Sequence, residues 1–175
     1  MSEGRQGCLI YLYTGEGGGK TTNALGLALR SAGHGLKVIV IQFMKGRKNI
    51  GEYKIRARLA PEYEIHQFGR SGWVDLKSPG PVDIKLAQKG LDFARQAAKR
   101  RPALLVLDEI NLAVAVGLLK PKDVLDLLDE VPKRTVVVLT GRRAPKELLD
   151  RADFVNEIVD VKHPSEIPTR RGIQF

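Results

Sequence analysis

LIYLYTGEGGGKTT, residues 9–22, is the stretch of sequence that decides the fold. Its first five residues are apolar or aromatic, which predicts a buried strand of a parallel sheet. Four glycines and then Lys20 and Thr21 follow, and residues 23–33 (NALGLALRSAG) have the apolar spacing of a helix that ends at Gly33. A glycine loop between a strand and a helix points backbone N–H groups and the positive end of the helix at an anion. This order of elements therefore predicts a site for the phosphates of a nucleotide.

The glycine loop and the start of the helix supply the predicted nucleotide contacts. We expect Lys20 to contact the phosphates and the Thr21 hydroxyl to ligate Mg²⁺. The loop is shifted by one residue, because Thr14 stands where the usual pattern has its first glycine. Arg30, further along the helix, could reach back to the terminal phosphate or be a surface arginine. The predicted nucleotide-binding residues are Gly15, Glu16, Gly17, Gly18, Gly19, Lys20, Thr21, Thr22 and Arg30.

Strands and helices alternate along the rest of the chain. Residues 47–61 and 69–81 have no regular period, and the second of these loops is rich in Gly, Pro and Ser. The alternation predicts a single three-layer α/β domain over residues 1–175, with a mainly parallel sheet of about six strands. We predict further strands at residues 37–43, 64–68, 104–107, 135–139 and 154–161, and further helices at residues 82–100, 121–131 and 145–152.

Side chains beyond the carboxyl ends of the strands are the candidates for chemistry. They are the glycine loop, residues 42–45, residues 108–109 and residues 140–142. Asp108 and Glu109 directly follow the fourth strand, where an acid can reach Mg²⁺ directly or through water. We therefore predict a metal site made by Thr21, Asp108 and Glu109. Arg142 follows the fifth strand, so it could contact phosphate or an acidic substrate, or be a surface arginine. No clear Ser-His or Cys-His pair is present, which indicates a site that binds a polyphosphate and uses a substrate that brings its own nucleophile.

Composition narrows the classes of function. The net charge of +9 allows a nucleic-acid partner, but the basic clusters lack an RNA-binding aromatic signature or a helix-turn-helix pattern, so solvated faces explain them better. No apolar run approaches the ~20 residues that span a bilayer. Residues 1–7 lack a signal-peptide pattern, and the single cysteine, Cys8, cannot form an internal disulfide. We expect a cytoplasmic protein that binds neither membrane nor nucleic acid.

Over nearly its whole length, the chain resembles the ATP:corrinoid adenosyltransferases of the RecA-like P-loop type. The resemblance covers about residues 9–175 and is carried by TGEGGGKTT, LALRSAGHG, QFMKG, LLVLDEIN, LTGR and the VKHP…RRGIQF ending. It implies transfer of the 5′-deoxyadenosyl group of ATP to the cobalt of a reduced corrinoid, cob(I)alamin, with release of triphosphate. Cob(I)alamin is itself a strong nucleophile, so the protein need only orient the 5′-carbon and stabilise charge on the triphosphate. It also implies Mg²⁺, a flavoprotein reductase that supplies electrons, and a homodimer.

The resemblance places the corrinoid contacts in the loop after the third strand. Similar proteins carry a glycine–aromatic–x–tryptophan segment there, whose aromatics are thought to displace the lower cobalt ligand. The matching residues here are 72–75, Gly-Trp-Val-Asp, in which Trp73 takes the first aromatic position and Asp75 replaces the second. We expect the corrinoid to contact Trp73, Phe68 and Arg142. The implied catalytic residues are Lys20, Thr21, Glu109 and Trp73.

Two other functions fit the residues without the resemblance. A P-loop ATPase or small-molecule kinase would release ADP and would need a base or water-positioning residue near Asp108 and Glu109, which the sequence does not reveal. A nucleotide-dependent nucleic-acid-binding module would fit the positive charge, and its binding would weaken steeply with salt.

Overall fold

The computed structural model describes residues 7–72, 74–167 and 169–173. Within these ranges, none of the helices is long and apolar enough to cross a membrane. The elements in chain order are β1 (Leu9–Thr14), α1 (Lys20–Gly33), β2 (Val38–Phe43), α2 (Gly51–Lys54), a 3₁₀ turn (Ile55–Ala57), β3 (Tyr63–Phe68), α3 (Pro81–Lys99), β4 (Leu104–Asp108), α4 (Ile110–Ala115), α5 (Pro121–Glu130), β5 (Val136–Thr140), α6 (Lys146–Arg151) and β6 (Phe154–Glu157).

One six-stranded sheet organises these elements, in the order β3-β2-β4-β5-β1-β6. Each strand pairs with its neighbours in parallel. The carboxyl ends of the strands therefore lie at one edge, where the loops after β1, β2, β4 and β5 meet. Strand β5 separates β1, which leads into the glycine loop, from β4, which ends at Asp108. The predicted parallel sheet of about six strands is confirmed.

Apolar side chains cover both faces of the sheet, as expected for parallel strands. On one face, Ile39 and Ile41 belong to a core that includes buried residues of α3, α5 and α6. On the other face, Ala24 and Ala28 of α1 pack with Val40 of β2 in a second buried cluster. The alternation of Val40 with its two neighbours along one strand fills both cores at once. The predicted three-layer α/β arrangement is confirmed.

The structure departs from the predicted elements at two places near the site. The sixth strand is predicted to run over residues 154–161, but β6 ends at Glu157, because the chain then crosses the glycine loop, where the Gly17 N–H donates to the Ile158 carbonyl at 2.9 Å. Helix α4 has no counterpart among the predicted elements. Its residues 110–114 are all buried, so no polar face marks the helical period.

Glu64 fastens the edge strand β3 to its neighbours. Its carboxylate accepts hydrogen bonds from Arg100, at the end of α3, forms an ion pair with Lys37 and lies 3.3 Å from His66 Nε2. The hydrogen bonds from Arg100, ahead of those from Lys37 and His66, lower the pKa of Glu64 to about 2. Because the folded-state pKa lies below the unfolded value, this contribution to stability is present above the unfolded pKa and disappears as the pH falls toward 2.

We expect Glu64→Gln to lower the free energy of unfolding by about 1 kcal/mol at pH 7, a modest value because the ion pairs are partly exposed. The difference from the unsubstituted protein should shrink as the pH falls from 4.5 to 2, because Glu64 becomes protonated first in the unfolded and then in the folded state, whereas Gln does not titrate. Urea unfolding at pH 7, 5 and 3 measures it, with the partly exposed Glu62→Gln, two residues earlier, as the matched control. A difference that stays constant over this pH range would show that Glu64 does not act through its charge.

Candidate active site

A cavity of about 540 Å³ opens at the carboxyl edge of the sheet. One side is polar and consists of the glycine loop with the start of α1. Apolar side chains also line the cavity, namely Met44, Val74, Leu76 and Leu112. The cavity therefore joins an anion-binding surface to an apolar one. The predicted site residues that line it are Gly17, Gly18, Gly19, Lys20, Thr21, Thr22, Glu109 and Arg142.

The shifted first glycine is explained by the segment that follows β6. Gly15 has a φ of +95°, and a Cβ atom there would lie 2.3 Å from the carbonyl oxygen of Ile158. A Cβ atom at Gly17 would lie 2.8 Å from the carbonyl carbon of Val159. Both positions thus require glycine because residues 158–160 lie against the loop backbone. Thr14, in contrast, is the last residue of β1, and its carbonyl accepts a hydrogen bond from the Ile158 N–H.

The Lys20 side chain folds into the glycine loop. Its ammonium donates to the carbonyl oxygens of Gly15 at 2.8 Å and Gly17 at 2.5 Å. Burial, followed by the charge of Arg142, lowers the pKa of Lys20. An anion in the cavity would compensate this buried positive charge, which fits the predicted phosphate contact.

Asp108 is the centre of a buried polar network. Its Oδ1 accepts hydrogen bonds from the hydroxyls of Thr21 at 2.8 Å and Thr140 at 2.7 Å. Its Oδ2 accepts from Gln42 at 3.0 Å and from the Lys45 ammonium at 2.7 Å. Burial alone would raise the pKa of Asp108, but the charge of Lys45 and these hydrogen bonds outweigh it and lower the pKa. Asp108 is therefore a fully hydrogen-bonded carboxylate that ties α1 to the ends of β2 and β5.

Glu109 is arranged differently from its neighbour. Its backbone has a φ of +63°, and its N–H donates to the Thr140 hydroxyl at 2.9 Å. Its Oε2 atom is buried and has no hydrogen-bond partner among the described residues, and burial raises the pKa of this carboxyl group. The described residues contain no group of three or more His, Cys, Asp or Glu side chains that could hold a metal ion. A cation that also uses the Thr21 hydroxyl would fill the place that Glu109 Oε2 leaves without a partner.

Arg142 and Glu16 stand on the polar side of the site. Arg142 Nε lies 3.5 Å from Glu16 Oε2, and both side chains are about half exposed or more. The loop that carries Arg142 is fixed by Asn111, whose Nδ2 donates to the carbonyls of Tyr13 and Gly141 at 3.2 Å each. Asn111 thus joins the end of β1 to the end of β5, next to the phosphate loop.

Five of the predicted site residues that the structure describes are absent from the cavity lining: Gly15, Glu16, Asp108, Arg30 and Phe68. The first three contact lining residues, whereas Arg30 and Phe68 lie elsewhere. Arg30 is exposed and lies in the last turn of α1, ten residues and about 15 Å along the helix from Lys20. Phe68 packs on Phe93, with ring centroids 5.4 Å apart, beneath the site and against the core. Trp73, predicted to contact the corrinoid, lies outside the described residues, although its neighbours Gly72 and Val74 line the cavity.

Further residues of the site come from the strand-end segments 42–45 and 140–142, which the sequence indicates as candidates without assigning them a role. Gln42, Lys45 and Thr140 complete the Asp108 network, and all three lie at or just after the carboxyl ends of β2 and β5. The strand-end rule that identifies Asp108 applies to them equally. Val74 and Leu76 carry no such signal, because their loop has no periodic pattern.

The fold and the phosphate loop define a P-loop nucleotide-binding protein of the RecA-like class. The flagellar accessory protein FlaH of Methanocaldococcus jannaschii has a similar fold, with a TM-score of 0.55 at 14% sequence identity, over 87% of this chain and 71% of that one. At this identity the likeness concerns the fold alone.

Sequence comparison identifies the family. The family model described as ATP:corrinoid adenosyltransferase BtuR/CobO/CobP matches residues 6–175. The corrinoid adenosyltransferase of Sinorhizobium sp. is 33% identical over 172 residues, which are 95% of this chain and 80% of that protein. The corrinoid adenosyltransferases of Pseudomonas aeruginosa and Escherichia coli K12 are each 34% identical to this chain. The aligned residues are 95% of this chain in both cases, and 83% and 85% of the two relatives, respectively. The chain belongs to the ATP:corrinoid adenosyltransferase family.

We expect Gly15→Ala to destabilise the protein by about 2 kcal/mol, because the added methyl group meets the Ile158 carbonyl and the backbone has a positive φ. Urea unfolding measures the loss. Gly18→Ala is the matched control in the same loop, since a Cβ atom there meets nothing within 4 Å. Equal losses for the two variants would contradict the packing of residues 158–160 on the loop.

Proposed function

We propose that this chain transfers the 5′-deoxyadenosyl group of ATP to the cobalt of a reduced corrinoid, cob(I)alamin, and releases triphosphate. The observation that carries the proposal is that the glycine loop and a set of apolar side chains line the same cavity. Such a cavity can hold a triphosphate and place the sugar carbon of ATP beside a large, flat ligand. Membership of the ATP:corrinoid adenosyltransferase family supports the same reaction.

The residues at the polar side would act on the leaving group. Cobalt supplies the electron pair of the new Co–C bond, and the electrons of the C5′–O bond leave with the triphosphate, so no proton has to be removed from the nucleophile. Lys20, the N–H groups of the loop and Arg142 would stabilise the negative charge that grows on the triphosphate, a role supported by their position in the cavity lining. Orientation of C5′ toward cobalt would supply the rest of the acceleration.

We propose Thr21 and Glu109 as the residues that hold Mg²⁺, with Asp108 behind them. The buried Glu109 Oε2 has no hydrogen-bond partner among the described residues, and the Thr21 hydroxyl lies 2.8 Å from Asp108 Oδ1. When bound, Mg²⁺ supplies positive charge that neutralises the triphosphate.

The apolar side is the proposed corrinoid surface. Met44, Val74, Leu76 and Leu112 offer contacts without hydrogen-bonding side chains, which suits a corrinoid whose lower ligand has been removed. Trp73 belongs to the same loop as Val74 and Leu76, so its proposed role is contact with the lower face of the corrinoid. Phe68 would support this loop from the core and would not contact the corrinoid itself.

The remaining partners follow from the chemistry and from one exposed surface. Because the reaction uses cobalt in its +1 state, we propose that a flavoprotein reductase supplies the electrons. Strand β6 is an edge strand and leaves Phe154 and Val155 about half exposed, which supports a homodimer. We also propose that residues 1–175 form one domain that works in the cytoplasm, where the single cysteine, Cys8, would stay reduced.

The test of the reaction is an anaerobic incubation of the protein with Mg²⁺, ATP and chemically reduced cob(I)alamin. We expect light-sensitive adenosylcobalamin in the absorption spectrum and an equal amount of inorganic triphosphate. Formation of ADP and phosphate without alkylation of cobalt would instead indicate an ATPase or kinase.

Lys20→Ala should lower kcat/KM for ATP by about 100-fold or more, because a buried charge that faces the leaving group is lost. Arg30→Ala is the matched control on the same helix, and we expect it to leave kcat/KM unchanged. Steady-state formation of adenosylcobalamin measures both variants. A large loss for Arg30→Ala would mean that ATP extends along α1 and not across the cavity.

A further inference from the structure

Lys45 places an ammonium group between two of the residues proposed for the metal. Lys45 Nζ lies 2.7 Å from Asp108 Oδ2 and donates to Thr21 Oγ1 at 3.1 Å. The side chain lines the cavity and is 29% exposed, whereas Asp108 is 1% exposed. The ammonium group thus belongs to the cavity lining, and its positive charge balances a buried carboxylate.

This position cannot be shared with a second cation. A divalent ion in contact with the Thr21 hydroxyl would lie within a few ångström of the Lys45 ammonium, and their repulsion would be strong in so buried a place. The Thr21 hydroxyl already donates to Asp108 and accepts from Lys45, so a metal ion on its remaining lone pair would lie directly beside the ammonium group. Either the ammonium or the metal ion can occupy this place.

Of the four side chains that donate hydrogen bonds to Asp108, Lys45 is the one that can most easily move away. Gln42 and Thr140 are fully buried, and each is held by a second hydrogen bond, from Gln67 Nε2 to Gln42 Oε1 at 2.9 Å and from the Glu109 N–H to Thr140 at 2.9 Å. Lys45 has a long, flexible side chain that borders open cavity space. A released ammonium would remain in the cavity that the triphosphate is proposed to fill.

We propose that Lys45 is the resident cation of the metal site, which neutralises Asp108 in the nucleotide-free protein and is replaced by Mg²⁺ when the metal arrives. The inference rests on the proposed placement of Mg²⁺ at Thr21 and Glu109. It assigns to Lys45 the role of a positioning residue that keeps the Asp108 network intact in the empty site and sets how tightly a metal binds. The affinity of the unsubstituted protein for a metal ion is therefore set by competition between the metal ion and the Lys45 ammonium.

Binding of Mn²⁺ to the nucleotide-free protein, followed by electron paramagnetic resonance of the free ion, tests this competition without turnover. Lys45→Met keeps the length of the side chain and removes the competing charge, so the dissociation constant for Mn²⁺ should fall by about tenfold or more. Lys45→Arg keeps the charge and should bind Mn²⁺ as weakly as the unsubstituted protein. Lys48→Met removes an exposed lysine of the same segment and should change nothing.

Equal Mn²⁺ dissociation constants for Lys45→Met and the unsubstituted protein would overturn the proposal, and so would weaker binding by the variant. Thermal unfolding of each variant shows whether the fold is intact, and Lys45→Gln replaces Lys45→Met if the latter does not fold. Because the measurement uses neither ATP nor corrinoid, its outcome is independent of the adenosyl transfer assay. A protein that binds Mn²⁺ as expected but transfers no adenosyl group would contradict only the proposed reaction.

Discussion

The hydrogen bonds to the buried carboxylate of Asp108 hold the active site together. They join β4 to the start of α1, to the end of β2 and to the end of β5. A buried carboxylate is costly unless it is hydrogen-bonded and its charge is compensated, and here four donors, one of them the Lys45 ammonium, meet that requirement. The phosphate loop, the QFMKG segment and the TGR segment keep their relative positions through this one group. The cavity between them is a consequence of that arrangement.

The second constraint is the crossing of residues 158–160 over the glycine loop. This crossing fixes the loop by backbone contacts at Gly15 and Gly17, so its shape does not depend on the ligand alone. A loop held from outside presents its N–H groups and Lys20 in a defined direction, which a leaving triphosphate needs. The unusual spacing of the glycines is therefore a packing requirement of this chain.

Much of the fold could be predicted from the sequence, because its signals are local. The buried strands are short apolar runs, and the glycine loop with Lys20 and Thr21 and the Asp108-Glu109 pair stand directly in the sequence. The crossing of residues 158–160 over the glycine loop could not be predicted, because no pattern within those residues indicates contact with a loop about 140 positions earlier. Helix α4 is buried throughout and lacks the polar face that reveals a helix. Arg30 illustrates the opposite problem: its place in the sequence suggested a phosphate contact, but the helical rise carries it away from the loop.

Cleavage of the C5′–O bond of ATP is the central claim, and the fate of the bridging oxygen tests it most directly. ATP that carries ¹⁸O in the bridge between C5′ and the α-phosphorus would be reacted with cob(I)alamin, and the triphosphate product would be weighed by mass spectrometry. If cobalt attacks C5′ across the cavity, the ¹⁸O stays in the triphosphate. Recovery of the ¹⁸O in an adenosine-containing product, with unlabelled phosphate species, would show attack at phosphorus and would contradict the account.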